Sequence, residues 1–314
     1  MKESKNSTQP SEEMVVAKFE VKQALVGLAL NDTDEHLLKY LDFLGSQVPV
    51  HAACFLHVVP RFDLFTTGSA DELELLVEQQ HIKEEVTEQL GGDIQLLVKK
   101  AHIKNTTYLA RTGDPLEELL AEAAEIEADL VVIGKKKLAG SHAILAKNMV
   151  RKATVNALVV PEASWNRLRS ILVPIDFSEH SARALQQALA INKQLAEPVK
   201  IICLNVYDTP NLSPFRLSKT AEEFQQMVEG DRMEAFDLFL SSYAPEGREY
   251  IKKILIPKTF PATAHYIMDY AVENEFDLVI MGAKGHSKVE LLLMGSVTDH
   301  LLSINNTIPT LVVK

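Results

Sequence analysis

Two patterns alternate along this chain of 314 residues. Short runs of Val, Ile and Leu pass unbroken by polar residues, and between them lie longer stretches whose apolar residues recur at helical spacing. Continuous apolar runs suit strands covered on both faces, and the helical spacing suits amphipathic helices lying on those faces. The first half predicts strands near 22–29, 51–58, 105–111, 129–134 and 155–160, with helices between them. The second half predicts strands near 170–176, 200–206, 249–256, 277–282 and 309–313, and helices near 179–195, 218–242, 261–275 and 288–303. Regular alternation of strand and helix implies right-handed crossovers and a doubly wound α/β fold, helices on both faces of a parallel sheet.

The pattern is written twice. Asp129-Leu-Val-Val-Ile-Gly134 matches Asp277-Leu-Val-Ile-Met-Gly282 at an offset of 148 residues. Ala157-Leu-Val-Val160 echoes Thr310-Leu-Val-Val313, and Ala24-Leu25-Val26-Gly27-Leu28-Ala29 echoes Ile171-Leu172-Val173-Pro174-Ile175-Asp176. Two domains are expected, over residues 17–163 and 168–314, after a disordered polar tail at 1–16. The join, Pro161 to Arg169, is short, so the domains should pack together rather than swing.

The strongest chemical signal is Gly282-Ala283-Lys284-Gly285, followed after nine residues by Gly295-Ser296. It lies between an apolar strand and the helical run that starts near Val297. Glycines let backbone N–H groups approach an anion, and a helix N-terminus adds donors and a favourable dipole. Thr298 could assist Ser296, and His286 reads either as a phosphate contact or as a solvent-facing loop residue. Asp176, at the end of the matching first strand, could accept hydrogen bonds from ribose hydroxyls or could cap the turn. The motif is neither a Walker A loop nor a dinucleotide fingerprint.

Composition narrows the partners. A net charge of −11 disfavours nucleic acid and anionic membranes, which reward basic surfaces. No apolar run is long enough to span a bilayer, and the polar start does not read as a signal peptide, so a cytoplasmic location is expected. Cys54 and Cys203 sit in apolar runs and read as small buried hydrophobes. The histidines lack ligand spacing, so no intrinsic metal site is expected.

These residues resemble the universal stress protein family, and the resemblance covers nearly everything from Ala17 to Lys314 as two family domains in tandem. Its carriers are Val173-Pro-Ile-Asp-Phe-Ser178, Asp277-Leu-Val-Ile-Met-Gly282 and the glycines 282, 285 and 295 with Ser296. The resemblance implies a five-stranded sheet of order 3-2-1-4-5 in each domain. It implies ATP, with or without Mg²⁺, in the second domain. Adenine would lie near Val206, ribose near Asp176 and Gly282, and phosphates around Gly285, Gly295, Ser296 and Val297, with Pro174, Met281, His286 and Thr298 counted among the nucleotide-binding residues. It also implies pairing through last strands, hence an internal pseudo-dimer, with a homodimer as a further possibility.

The first half departs from this pattern. At the offset of 148, Gly285 corresponds to Lys137, Gly295 to Lys147 and Ser296 to Asn148, and the echo of the first strands sets Asp176 opposite Ala29. A degenerate nucleotide site is therefore expected there. Lys137 and Lys147 could fill the vacant phosphate position, or Lys135-Lys136-Lys137 could be a solvated loop. Three functions stay open: a stress-response module that binds an adenine nucleotide and is read by a protein partner, a scaffold that binds none, and a slow ATPase or nucleotidyl-transfer enzyme.

Overall fold

The computed structural model describes residues 18–60, 71–136, 141–208, 220–285 and 294–314. The expected tail at 1–16, the loop after residue 208, Lys137 and His286 lie outside them. In the first half the order is β1 (Val21–Leu28), α1 (Thr33–Gln47), β2 (Val50–Val59), α2 (Asp71–Leu97), β3 (Ile103–Thr112), α3 (Pro115–Glu125), β4 (Leu130–Lys135), α4 (Ser141–Lys152) and β5 (Asn156–Pro161). The second half repeats it as β6 (Ser170–Pro174), α5 (Glu179–Asn192), β7 (Lys200–Asp208), α6 (Ala221–Tyr243), β8 (Ile251–Lys258), α7 (Thr263–Glu273), β9 (Leu278–Gly282), α8 (Ser296–Ile304) and β10 (Thr310–Val313). A single 3₁₀ turn, Arg248–Tyr250, leads into β8.

Among the described residues the ten strands form one sheet in the order β3-β2-β1-β4-β5-β10-β9-β6-β7-β8. Each half is parallel within itself, in the expected order 3-2-1-4-5. The halves meet antiparallel, with Thr310, Leu311 and Val312 opposite Val159, Leu158 and Ala157. The unbroken apolar runs follow from burial on both faces. Val26, Phe55 and Val132 point into a core covered by α1, α2, α5 and α6. Leu25, Cys54 and Val131 point into the opposite core, under α3, α4, α7 and α8. Both cores run across both halves. Cys54 and Cys203 are buried and unpaired, and burial pushes the Cys203 thiol up to about 12. Among the described residues no helix is long and apolar enough to cross a membrane.

The repeated Asp129 and Asp277 have a structural role. Asp129 accepts hydrogen bonds from the N–H groups of Lys22 and Gln23 at the start of β1. Asp277 accepts from the Arg169 N–H at 2.8 Å and pairs with the Arg167 guanidinium. Each carboxylate ties the fourth strand of its half to the first.

Polar ties cross the seam beside β5 and β10. Lys135 is not a solvated loop residue: only 4% exposed, its Nζ donates to the carbonyls of Leu302 at 2.6 Å, Ser303 at 3.2 Å and Asn305 at 2.5 Å. It thereby caps the C-terminal end of α8, whose last carbonyls lack partners within the helix. In the other direction Lys314 Nζ donates to the carbonyl of Val150 near the end of α4. Lys147 does not fill a phosphate pocket. It donates to Asp299 Oδ2 at 2.8 Å and to Ser303 Oγ at 2.9 Å, and Arg151 binds the same aspartate. Burial opposes the charged form of Asp299, but these hydrogen bonds outweigh it and hold its carboxyl below the usual range.

Burial, reinforced by nearby Lys147, pushes the Lys135 ammonium down to about 8. The unfolded chain keeps that proton to about 10.4. Between these values folding releases a proton, so the stability from Lys135 rises with pH. Lys135→Met should lower stability by about 1–3 kcal/mol at pH 7, because buried carbonyls lose their donor. Urea unfolding of both proteins should show the gap widening from pH 8 towards pH 10; a narrowing gap would contradict the assignment.

Candidate functional site

At the C-terminal edge of the second half, three chain reversals meet around a cavity of about 250 Å³. Open α/β sheets place their clefts there, where strand order switches direction. The first reversal follows β6. Phe177 takes a left-handed backbone with φ 65°, and its ring packs edge-on against Phe236 and Phe239 of α6. Those contacts hold a conformation that an L-residue otherwise disfavours. The reversal presents Asp176, whose Oδ1 accepts from the Ser178 N–H at 3.0 Å and the Ser178 hydroxyl at 2.6 Å. Ser178 in turn caps α5 through the Ser181 N–H. Asp176 therefore serves the turn as well as lining the cavity.

The second reversal follows β9. The Ala283 N–H donates to Val313, and the Gly295 N–H donates back to Ala283 at 2.8 Å, so the ends of the loop close on each other. Gly295 is the N-cap of α8 and gives it no side-chain cap. Helix α8 spans Ser296–Ile304, and the start expected near 288 falls outside the described residues. The first-turn residues Ser296, Val297 and Thr298 line the cavity. An uncapped N-terminus leaves backbone donors and the positive end of the helix dipole facing it. Thr298 has a second task, since its hydroxyl donates to the Gly282 carbonyl at 2.9 Å and ties α8 to β9.

The third reversal follows β7. Asn205 Nδ2 donates to the Ile175 carbonyl at 2.7 Å and draws the ends of β6 and β7 together. Val206 beyond it, with Leu204, Ile267, Pro174 and Met281, forms the apolar wall. Every expected site residue except His286, which lies outside the described residues, borders this one cavity. Sequence reading missed Lys284, Ser181 and Thr263, which also line it. Lys284 stands inside the glycine motif and was legible there; Ser181 and Thr263 carried no signal beyond the first turn of their helices.

The glycines are needed for different reasons. A Cβ on Gly285 would lie 2.5 Å from Asp176 Oδ2, so Gly285 lets the loop touch the carboxylate. A Cβ on Gly282 would lie 2.7 Å from the backbone carbon of His180 and 2.8 Å from its oxygen. Gly282 thus lets α5 close onto β9. Burial, then Arg183 and Lys284, depress the His180 imidazole, and its buried Nδ1 has no hydrogen-bond partner among the described residues.

The register corrects the constant offset for the first half. Ala24 pairs with Leu130 as Ile171 pairs with Leu278, so Ala29 does stand at the position of Asp176. The helices that follow are offset differently. The Ala153 N–H closes α4 on Met149, as the Asn305 N–H closes α8 on Leu301. Lys147 is therefore the counterpart of Asp299, and Gly295 has no counterpart in it. The reason is loop length: β4 ends at Lys135 and α4 starts at Ser141, whereas β9 ends at Gly282 and α8 starts at Ser296.

Comparison with known proteins agrees with this architecture. The sequence model of the universal stress protein family matches residues 20–161 and again 167–314. The chain belongs to the universal stress protein family, with two of its domains in tandem. A universal stress protein of Methanocaldococcus jannaschii is 29% identical over 164 residues, covering 46% of this chain and 94% of that protein. One from Synechocystis is 27% identical over 262 residues, covering 78% of this chain and 79% of its own length. The crystal structure of a universal stress protein from Archaeoglobus fulgidus superposes with a TM-score of 0.62 at 17% identity, over 93% of this chain and 96% of that one. It shares the fold.

Gly282→Ala should destabilise by about 1–3 kcal/mol, because the added methyl meets helix backbone that cannot move alone. Gly134→Ala should stay within about 0.5 kcal/mol of the unaltered protein. Its new Cβ would meet only Leu37 Cδ2 at 3.7 Å and Thr33 Cγ2 at 3.9 Å. Urea midpoints for the pair decide the matter; equal losses would show that the close approach of α5 is not what Gly282 serves.

Proposed function

We propose that the second domain binds an adenine nucleotide, ATP with or without Mg²⁺, and that the protein acts in the cytoplasm as a nucleotide-dependent regulatory or interaction module in the stress response. The observation that carries this reading is the joining of three unlike surfaces in one cavity: an apolar wall, a carboxylate and an uncapped helix N-terminus. The wall of Leu204, Val206 and Ile267 suits a planar base. Asp176, which lines the cavity, suits a ribose hydroxyl as an acceptor. The N–H groups of Ser296, Val297 and Thr298, with the Lys284 ammonium, suit phosphate oxygens.

The cradle fits such a group because a side chain at Gly285 would fill it. Among the described residues no cluster of His, Cys, Asp and Glu could hold a metal alone. Mg²⁺ would accordingly be held through phosphate oxygens and water. No arginine lines the cavity among the described residues, which favours binding over rapid phosphoryl transfer.

Isothermal titration with ATP tests the reading. Gly285→Lys should weaken binding at least about tenfold, a loss of about 1.4 kcal/mol. Asp176→Ala should weaken adenosine as well as ATP, since it acts on the sugar. Equal ATP affinity in the unaltered protein and Gly285→Lys would sink the site.

A further inference from the structure

The first half keeps a cavity where its nucleotide motif is missing. At the C-terminal edge of β1, β2 and β4 lies an open space of about 350 Å³, larger than the cavity of the second half. Most of its wall matches that cavity, although Gly27 stands in place of Pro174. Leu56 and Val58 stand where Leu204 and Val206 stand, and Leu119 stands for Ile267. Even the link between strand ends persists: His57 Nδ1 lies 3.0 Å from the Leu28 carbonyl, as Asn205 reaches Ile175. The half of the site that faces a base is therefore intact. Gly27, Ala29 and Gly134 border it with small residues, so it is not filled from the sheet.

The other half of the site has changed character. The register places Ala146 at Thr298, Ile144 at Ser296 and Pro115 at Thr263. Three polar side chains are thus replaced by apolar ones, Lys136 remains in the lining as the counterpart of Lys284, and the connection from β4 to α4 is shorter than that from β9 to α8. The carboxylate has also moved. Ala29 replaces Asp176, and Asp34 occupies the position of Ser181 on the next helix. Asp34 reaches back to accept from the N–H groups of Ala29, Leu30 and Asn31 at 2.6–3.4 Å, and it lines the cavity. Burial raises its pKa against the pull of those bonds.

We infer that this cavity binds an uncharged, mainly apolar organic molecule of nucleoside size or smaller, with a hydrogen-bond donor for Asp34. Among the described residues a phosphate would find no counterpart of Gly285 or Gly295 there, and it would face the Asp34 carboxylate as well as the Lys136 ammonium. An apolar ring system finds a wall of Leu, Val and Ile. The volume lies within the range of about 300–1,000 Å³ typical of small-molecule pockets. The inference does not depend on nucleotide binding in the second half.

N-phenyl-1-naphthylamine is a suitable probe, being neutral, apolar and equipped with one N–H donor, and its fluorescence rises on leaving water. The full chain should bind one equivalent saturably, and excess ATP should leave that binding unchanged. Val58→Phe fills the cavity and should weaken binding at least about tenfold. Leu145→Phe, at the start of α4, should do the same by a substitution nearer the surface. The matching change in the second half, Val206→Phe, should leave probe affinity within about twofold. Circular dichroism and thermal melts confirm which variants are folded. Absence of saturable binding would overturn the inference. So would displacement of the probe by ATP, or loss of binding in Val206→Phe with retention in folded Val58→Phe or Leu145→Phe.

Discussion

The backbone pairing of β5 with β10, centred on Leu158 opposite Leu311, sets the geometry of everything around it. Each half is a parallel sheet whose last strand would be an open edge. Unpaired strand edges are templates for association, and here each half consumes the edge of the other. A homodimer through the same strands would have to replace this pairing. The pairing is antiparallel while each half is parallel inside, so the C-terminal strand ends of the two halves lie at opposite edges of the joined sheet. The two cavities, built at those ends, open in opposite directions.

Within that frame the halves keep some features and lose others, and the division follows physical need. Leu30 and Phe177 both take left-handed backbones after the first strand, with φ 54° and 65°. Glu127 and Glu275 do the same before the fourth, with φ 50° and 51°. Such conformations cost energy for L-residues and persist where the chain path demands them. The carboxylates at 129 and 277, which fix strand one against strand four, also persist. The cavity linings have no such duty to the path. They differ most where the second half has a carboxylate and a helix terminus facing the same space.

The strands were legible because burial on both faces leaves unbroken apolar runs, and the pairing order followed from the family resemblance those runs carry. The N-cap of α8 at Gly295 was not legible, because periodicity reports burial and does not show where backbone hydrogen bonding begins. Lys135 looked like part of a charged loop because sequence shows a charge and hides its acceptors, three carbonyls about 170 residues away. The Lys147 correspondence failed because one offset cannot cross loops of unequal length. Gly282 was legible as important, but its reason, the backbone of His180, was visible only in three dimensions.

The ties across the seam do more than hold the halves together, because of where they attach. Helix α8 offers its first turn to the second cavity and its last carbonyls to Lys135. Lys136, the next residue, lines the first cavity. Asp299, in the first turn of α8, is held by Lys147 and Arg151 of α4, and Leu145 of α4 also lines the first cavity. A helix of nine residues is about 13.5 Å long and stiff along its axis. Displacement of α8 at its cavity end would load Lys135 and Asp299 as well as its packing on α7 and the Thr298–Gly282 hydrogen bond. The ties at Lys135 and Asp299 are each anchored on an element that borders the first cavity, so the two pockets, though they open in opposite directions, share part of their mechanical support.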